Sequence, residues 1–457
     1  MTESQSVAVT IESLLVSGAI KAHKDGNHGS QYPRVEEFGS AGVPFLTAKL
    51  LSDGNINIEA APRLADERAN KLRLGFVQPG DVLPSHNATI GRVAIVPTFS
   101  GRLLIGTSLT YFRLDESRIS PRYLAAFFVG EYFQNQLKAV MSHTTRNQVP
   151  ITAQRRLSVV LPPIDVQRAI AAVLGALDDR IALLRETNTT LEAIAQALFK
   201  SWFVDFDPVR AKQQGLAPAG MDEATAALFP DSFEDSPLGP VPQGWQQTNL
   251  AGLTKHYGGG IQTGPFGSQL HASDYVKSGI PVVMPKDIQN RRATTDSIAR
   301  IRAADADRLS RHKLTKGDIV FSRRGDVERH ALISEREVGW LCGTGCLLVR
   351  PGEGWPSATF LSMLLDAPHA RTWLVQHAVG ATMPNINTGI LGSVPVIAPP
   401  PGLLTAFEGI VALTEEQRSR NASTGETLAT LRDTLLPRLI SGQLRLPEAH
   451  AMVEEVA

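Results

Sequence analysis

One long stretch of the chain carries a seven-residue hydrophobic repeat. Over residues 164–203, apolar or small side chains recur at alternating steps of four and three, and the polar Asn188 fills the remaining seam position. A heptad pattern held for more than four repeats is typical of a long helix with a coiled-coil seam, in which a lone polar residue tends to fix the register. The pattern therefore predicts a helix that packs on a second helix. The seam residues are Ile170, Leu174, Leu177, Ile181, Leu184, Leu191, Ala195, Leu198 and Trp202.

The same organisation occurs twice along the chain, at a constant offset of 237 residues. Gly80 and Gly317 each open a Gly-Asp pair before an apolar run, and the run GTSLTYFRL at Gly106 corresponds to GTGCLLVRP at Gly343. The offset holds from about residue 42 to about residue 203, and chance matches would not share one offset over that distance. The chain is therefore interpreted as a duplicated unit in which a strand-rich segment precedes a helix.

Short apolar runs separated by glycine, proline and aspartate make up each strand-rich segment and predict strands and turns. An amphipathic helix is predicted over 121–141, followed by a polar loop and a short strand that ends in a double proline. Residues 204–245 are rich in proline, glycine and acids and predict an extended linker. The second long helix is poor in apolar residues over 414–426, so the pairing is expected either to be loose there or to be completed by a partner.

The predicted fold is α+β. Two mixed α/β domains are expected at opposite ends of an antiparallel two-helix coiled coil, with pseudo-twofold symmetry from the duplication. Two similar modules at a fixed separation suit an extended two-part target such as DNA. The alternative is a long helix in the core of one ordinary domain. The predicted segments are domains 1–160 and 246–399, helices 164–203 and 403–441, the linker 204–245 and a frayed tail 442–457.

Composition limits the class of protein. With 457 residues, 43% hydrophobic and 20% charged, the chain is globular and long enough for two or more domains. A formal net charge of zero is weak evidence against nucleic-acid binding, although it is compatible with local basic patches. No signal peptide or membrane span stands out, so a cytoplasmic protein is expected. The two cysteines, Cys342 and Cys346, lack the further ligands of a zinc site and are predicted to be buried.

No motif of an enzyme that modifies or cuts DNA stands out. An adenine methyltransferase needs an Asn/Asp-Pro-Pro-aromatic loop, whereas the nearest match, MPNIN at 383–387, has proline before asparagine. The glycine-rich stretch 258–268 lacks the Lys-Ser/Thr of a phosphate-binding loop and predicts a turn that leads into a strand. Asp81 and Asp318 follow glycine before apolar strands and are interpreted as turn residues rather than catalytic carboxylates.

Two polar loops and one basic segment are candidates for contact with DNA. Segment 286–329 has twelve basic and seven acidic residues, and such a positive excess neutralises phosphates. The first loop, at 85–96 and 323–333, and the second, at 142–150 and 380–388, differ between the repeats. Their side chains can contact base edges, or they can hydrogen-bond their own turns. The candidate DNA-binding residues are Arg92, His86, Asn87, Arg146, Asn147, Gln148, Lys286, Arg323, Arg324, Arg329, Thr382, Asn385 and Asn387.

Several long stretches resemble the specificity (S) subunits of type I restriction–modification systems, the HsdS family. The most specific are ALFKSWFVDFDPVRAK at 197–212, GMDEATAALFPDSFEDSPLGPVPQGW at 220–245 and LLPRLISGQLRLPEA at 435–449. The stretch from 260 to 288 resembles one common type of target recognition domain, and DGNHGSQYP at 25–33, followed by GVPFLTAKLL, resembles another. The resemblance covers essentially the whole chain.

The resemblance implies that two target recognition domains each read one half of a bipartite site in double-stranded DNA. It implies that the helical regions set the separation of the halves and dock two methyltransferase (M) subunits, to which restriction (R) subunits add ATP-dependent cleavage. This chain would be non-catalytic and without a cofactor, while S-adenosylmethionine, ATP and Mg²⁺ would act on partner subunits. Two other readings stay open: an enzyme, which would bind S-adenosylmethionine alone, and a structural adaptor, which would not bind DNA in a salt-dependent way.

Overall fold

The computed structural model describes residues 7–52, 54–141, 147–236, 239–266, 269–295, 297–380 and 382–455. The chain divides into two compact units. Unit 1 comprises residues 1–184 and 424–457, and unit 2 comprises residues 185–423. Each unit therefore contains one strand-rich segment together with part of each long helix.

In its described residues, the strand-rich part of unit 1 consists of short strands, short 3-10 helices and α-helices. The α-helices are α1 (Ile11–Val16), α2 (Asp66–Ala69), α3 (Pro121–Val129), α4 (Glu131–Met141) and α5 (Ile151–Gln154). The strands are β1 (Val7–Thr10), β2 (Ile20–Asp25), β3 (Phe38–Gly39), β4 (Val43–Leu46), β5 (Leu51–Ser52), β6 (Asn55–Ile56), β7 (Arg63–Leu64), β8 (Val82–Pro84), β9 (Val93–Ile95), β10 (Leu104–Ile105), β11 (Thr110–Leu114) and β12 (Ser158–Leu161). The long helix α6 (Ile164–Phe203) follows.

Unit 2 continues the chain with a similar order of helices and strands. Its helices are α7 (Asp207–Gln213), α8 (Glu223–Ala227), α9 (Leu250–His256), α10 (Ala303–Arg308), α11 (Ala358–Asp366), α12 (Pro368–His377) and α13 (Thr388–Gly392). The strands are β13 (Phe233–Glu234), β14 (Val241–Pro242), β15 (Gln246–Asn249), β16 (Gly260–Thr263), β17 (Tyr275–Val276), β18 (Ile280–Val283), β19 (Ile288–Gln289), β20 (Arg292–Ala293), β21 (Ala299–Ile301), β22 (Ile319–Ser322), β23 (His330–Leu332), β24 (Leu341–Cys342), β25 (Cys346–Arg350) and β26 (Pro395–Ala398). The second long helix, α14 (Pro401–Ile440), and α15 (Leu446–Glu454) complete the chain.

Sheet topology is the same in both units. Unit 1 has one sheet in the order β2-β11-β8-β9 and another in the order β10-β4-β7-β3, and unit 2 repeats them as β16-β25-β22-β23 and β24-β18-β21-β17. The register repeats as well, because Val82 pairs with Ile95 and Ile319 pairs with Leu332 at the same offset of 237. The duplication and the mixed fold class predicted from the sequence are confirmed.

Segments of the two long helices pack together within each unit. In unit 1 the predicted seam residues Ile170 to Leu184 are buried in one core with Leu428 and Leu435. In unit 2, Asn421 donates to Asn188 at 2.9 Å. Further along α6 in this unit, Glu192 lies beside Arg418. Partners on α14 therefore have falling numbers as residue numbers rise along α6, which is the predicted antiparallel pairing.

The heptad seam is not uniform along α6. In unit 2 the predicted seam residues Ala195 and Trp202 are buried, but Leu191 and Leu198 are only partly buried. Phe199, which lies outside the predicted seam, is 5% exposed and joins a cluster of rings with Phe407. Large aromatic side chains therefore replace the heptad packing in this part of α6.

Three predicted segments differ in the structure. Residues 204–245 are not an extended linker, because they form α7, α8 and the hairpin β13–β14, and bury Phe229 and Trp245 in the core of unit 2. The tail 442–457 contains α15, whose Ala449 is buried in unit 1, so it is not frayed over that helix. The single helix predicted over 121–141 is interrupted at Gly130, which separates α3 from α4. In the first two segments, a few apolar side chains spaced among prolines and glycines are buried in a core.

In the part of the chain that the structure describes, no helix is both long enough and apolar enough to cross a membrane.

Candidate nucleic-acid interface

In unit 1 the two loops that carry the candidate residues lie against each other. Asn87 forms an isolated antiparallel bridge with Gln148. Beside it, the Val149 amide donates to the His86 carbonyl at 2.9 Å. The loop that follows β8 and the loop that precedes α5 are thereby joined into one surface, which we call the loop junction of unit 1 (residues 86–88 and 147–149).

Unit 2 contains the same junction at the same offset. Arg324 forms an isolated antiparallel bridge with Asn385. The Ile386 amide donates to the Arg323 carbonyl at 3.0 Å. These four residues correspond, 237 positions apart, to the four that join the loops of unit 1, so the loop junction of unit 2 (residues 323–325 and 384–386) is a structural copy.

A left-handed turn shapes both junctions. Ala88 has a φ of 62° and its counterpart Gly325 has a φ of 75°. Their amides donate to the carbonyls of Asn147 and Pro384, at 3.2 and 2.9 Å. A non-glycine residue in this backbone region costs free energy unless its surroundings hold it there, and such residues cluster at functional sites. The turn therefore marks the junction as the feature that both units preserve.

Paired ions brace the strands that lead to each junction. Asp81, immediately before β8, lies 2.7 Å from Arg113 on β11. Asp318, immediately before β22, lies 2.6 Å from Arg350 on β25. Each carboxylate also accepts the backbone amide three residues before it, at 2.8 Å. This geometry agrees with the interpretation of both aspartates as turn residues rather than catalytic ones. Each aspartate also forms an ion pair that links two strands of its sheet.

Several candidate residues of unit 1 have structural partners. His86 is 2% exposed and its Nδ1 lies 3.1 Å from the Val149 carbonyl. Burial lowers the pKa of His86 below its ordinary value. The Arg92 guanidinium donates to the carbonyls of Ala48 and Leu51, at 3.2 and 2.9 Å. Arg146 lies outside the described residues, and Asn147 is exposed. His86 and Arg92 therefore maintain the loops, while Asn147 stays at their surface.

The candidate residues of unit 2 likewise include some with structural partners and some at the surface. Asn387 caps α13, because its Oδ1 accepts the Ile390 amide at 2.8 Å. Arg329 pairs with Asp326 at 2.6 Å, and Lys286 donates to the Ser297 carbonyl at 3.1 Å. The remaining candidates face the solvent or line the junction, namely Arg323, Arg324, Thr382 and Asn385.

The basic segment 286–329 is less available to DNA than its composition predicts. The Arg291 guanidinium is 5% exposed and lies 2.6 Å from Glu192 of α6 and 3.4 Å from Glu415 of α14. Arg292 lies 3.0 Å from Glu415 as well. These two arginines therefore neutralise helix carboxylates within unit 2. They also explain why α14 has an acidic residue there, since Glu415 is paired within unit 2.

A third loop at the edge of unit 2 was missed by sequence reasoning. The Arg323 amide donates to the Gly345 carbonyl at 2.9 Å, and the neighbouring Thr344 hydroxyl donates to the Pro265 carbonyl at 3.0 Å. Next to Pro265, the Phe266 side chain is 51% exposed. The aromatic residue between proline and glycine in TGPFG was the available signal, because aromatic side chains are enriched at interfaces.

A buried polar group under the junction of unit 1 was also missed. Gln154 Oε1 lies 3.0 Å from His23 Nε2 and accepts the Thr110 hydroxyl at 3.0 Å, while its Nε2 donates to the Val149 carbonyl at 3.0 Å. Unit 2 has Leu347 and Leu391 at the positions of Thr110 and Gln154. The two junctions therefore share a backbone frame but rest on different supports.

The largest effects of burial on a histidine are on His23 in unit 1 and on His330 in unit 2. Burial lowers the pKa of His23 to about 4 and, with help from Arg291, lowers that of His330 to about 3. His330 Nε2 lies 2.9 Å from the Ser362 hydroxyl, and its ring stacks on Phe321. Because the folded state binds the proton less readily than the unfolded chain, stability should fall as the pH drops below the ordinary histidine pKa of about 6.5.

His330→Gln is therefore expected to reduce the acid sensitivity of unit 2. When the pH falls from about 7 to about 5, the free energy of unfolding of the wild-type chain should decrease by roughly 2 kcal/mol, because His330 stays neutral in the folded state. The variant lacks this histidine and should not show that decrease. Calorimetry at both pH values measures this difference, and the lower starting stability of the variant does not enter the comparison. An equal pH dependence of the two chains would show that His330 does not titrate in this way.

Within the described ranges no cluster of His, Cys, Asp and Glu is placed to hold a metal ion. Cys342 and Cys346 are buried as predicted, and burial raises the pKa of both thiols. What the two junctions present is a set of hydrogen-bonding side chains on a braced backbone frame.

Comparison with known proteins gives a consistent result. A family model described as the type I restriction modification DNA specificity domain matches residues 36–193. The chain is 26% identical, over 90% of its length and 95% of the relative, to the type I restriction enzyme HindI specificity subunit of Haemophilus influenzae. It is 23% identical to the MjaIX specificity subunit of Methanocaldococcus jannaschii, over 91% of this chain and 90% of that protein.

A solved structure shares the fold. The type I restriction–modification S subunit from M. genitalium superposes with a TM-score of 0.54, covering 96% of this chain and 97% of that one at 15% sequence identity. At this identity the likeness concerns the fold alone.

Proposed function

We propose that this chain is a specificity subunit of a type I restriction–modification system, as its similarity to that family indicates. In this proposal it recognises a bipartite DNA sequence, one half with each unit. The observation that carries the proposal is the loop junction, which occurs in both units with the same backbone hydrogen bonds but with different side chains. A conserved frame with variable polar side chains is what two modules need in order to read two different half-sites.

The long helices form the second part of the proposal. The heptad pattern and the antiparallel pairing of α6 and α14 segments support a spacer that sets the distance between the half-sites. We propose that the exposed faces of these helices dock two methyltransferase subunits, to which restriction subunits are added. S-adenosylmethionine, ATP and Mg²⁺ would then bind to those partner subunits. This chain would position the DNA without catalysing its modification.

Exchange of one reading module tests the proposed function. The chain is co-expressed with its methyltransferase subunits, and methylated bases are mapped by sequencing the host DNA. Replacing residues 1–160 by the same segment of another specificity subunit is expected to change one half of the methylated motif, because each unit reads its half independently. The other half and the spacer length are expected to stay unchanged.

The complex with the unmodified chain serves as the reference for this exchange. Absence of any bipartite methylated motif would contradict the proposed function as a whole. A motif that the exchange leaves unaltered in both halves would contradict the assignment of one half-site to unit 1.

A further inference from the structure

At the loop junctions, one cross-strand pair of side chains occupies the same position in both units. Asn87 lies opposite Gln148, and Arg324 lies opposite Asn385, 237 residues further along. Residues directly opposite in an antiparallel bridge project their side chains to the same face, with Cβ atoms roughly 5 Å apart. Each junction therefore presents two adjacent polar side chains on one braced backbone frame.

These side chains are free where their neighbours are used. No described residue hydrogen-bonds to the side chain of Asn87, Gln148 or Arg324, and Asn385 Oδ1 has no partner among the described residues. By contrast, the preceding residue His86 is buried against a carbonyl, as expected because successive side chains point to opposite faces. Within the described part of the chain, the hydrogen-bonding groups of these side chains are therefore unused, and of these atoms Asn385 Oδ1 is buried.

The chemistry of the two pairs differs. The pair in unit 1 has two amides and no charge, whereas the pair in unit 2 has one guanidinium and one amide. An uncharged pair gains little from phosphates, which attract cations, but it can donate and accept at a base edge. Arg324 has no acidic partner within the described chain, so its charge is not already neutralised.

We propose that these cross-strand pairs are the specificity-determining residues of the two units. Asn87 with Gln148 reads adenine, through N6 and N7, in the half-site of unit 1. Arg324 reads guanine, through O6 and N7, in the half-site of unit 2, with Asn385 beside it. The inference rests on the proposed function, because it assigns individual bases within the target that the two units recognise.

Deletion of single acceptor atoms from the DNA tests the assignment. Once the methylated motif is known, duplexes are made in which each guanine is replaced by 7-deazaguanine and each adenine by 7-deazaadenine, one at a time. Affinity is then measured at one salt concentration for the complex of this chain with its methyltransferase subunits. Loss of a good base contact should weaken binding of the wild-type complex by roughly 5- to 150-fold at one guanine in one half-site. A phosphate contact would be insensitive to the same change.

Variants assign each contact to its residue. In Arg324→Ala the 7-deazaguanine substitution is expected to have no further effect, and in Asn87→Ala with Gln148→Ala the same is expected for one adenine in the other half-site. Arg329→Ala is the matched control, because it removes an arginine from the same loop that pairs with Asp326. This control is expected to keep the guanine sensitivity.

A second variant keeps the test independent of Arg324→Ala. Arg324→Gln is expected to change the required guanine of the methylated motif to adenine. A wild-type complex without any sensitive guanine, or a sensitivity that persists in Arg324→Ala, would overturn the assignment while the bipartite motif stands. Absence of a methylated motif would instead count against the proposed function itself.

Discussion

Glu415→Gln is expected to lower the free energy of unfolding of unit 2 by about 3–5 kcal/mol. The Glu415 carboxylate lies 3.4 Å from Arg291, 3.0 Å from Arg292 and 2.7 Å from Arg418. Its removal leaves the three guanidinium groups close together, with Glu192 still paired to Arg291 and Arg418. Desolvated like charges without compensation are strongly unfavourable, and that penalty dominates the expected effect. Urea denaturation or calorimetry measures this loss of stability.

The adjacent residue supplies the control. Glu416 pairs with Arg420 at 3.3 Å, but both side chains are more than 60% exposed, so Glu416→Gln is expected to change stability by less than about 1 kcal/mol. The double variant Glu415→Gln with Arg291→Met should recover part of the lost stability, because it removes one of the uncompensated charges. Equal losses of stability in Glu415→Gln and Glu416→Gln would show that burial of the network does not determine its energy.

One additional heptad in each long helix is expected to lengthen the spacer of the methylated motif and to leave both half-sites unchanged. The insertions are made where the two units divide α6 and α14, after Leu184 and after Ser423. Seven residues add about 10 Å of helix and nearly preserve its buried face. At roughly 3.4 Å per base pair, the proposed spacer should grow by about three base pairs.

An insertion of equal length at a surface turn controls for the added chain. Gly215 is exposed, with a φ of 72° and open space around it, so seven residues inserted after it are expected to leave the spacer unchanged. Sequencing of methylated DNA measures the spacer length for both variants. A lengthened helix pair with an unaltered spacer would contradict the role of the helices as a ruler, and altered half-site bases would show that they also affect reading.

Much of the fold was predictable because it depends on local patterns. The 237-residue repeat, the antiparallel helix segments and the Gly-Asp turns follow from periodicity and from residue types that occupy turns. The segment 204–245 was misassigned because its proline and glycine content resembles that of a linker, while the anchoring of Phe229 and Trp245 depends on a distant core.

The candidate surface was predictable as two loops but not as individual contacts. Both loops were located from their polar residues and their divergence between repeats, and the structure joins them at one junction in each unit. Whether a given side chain was free could not be predicted. Arg92 and Asn387 satisfy carbonyls and amides of their own surroundings, whereas Arg324 and Gln148 do not. The carbonyls that Arg92 reaches lie on a segment that meets its loop only after folding, whereas Asn387 caps the helix that begins at the next residue.

The sequence by itself determined the duplication, the long helices and the fold class of this protein, since each follows from residue order and spacing. Only the tertiary structure decided how the polar stretch of α14 is satisfied and which loop residues face outward. Arg291 reaches Glu192 and Glu415 across 99 and 124 residues of chain. A buried charge selects its partner by distance in space, and no periodic pattern records that distance.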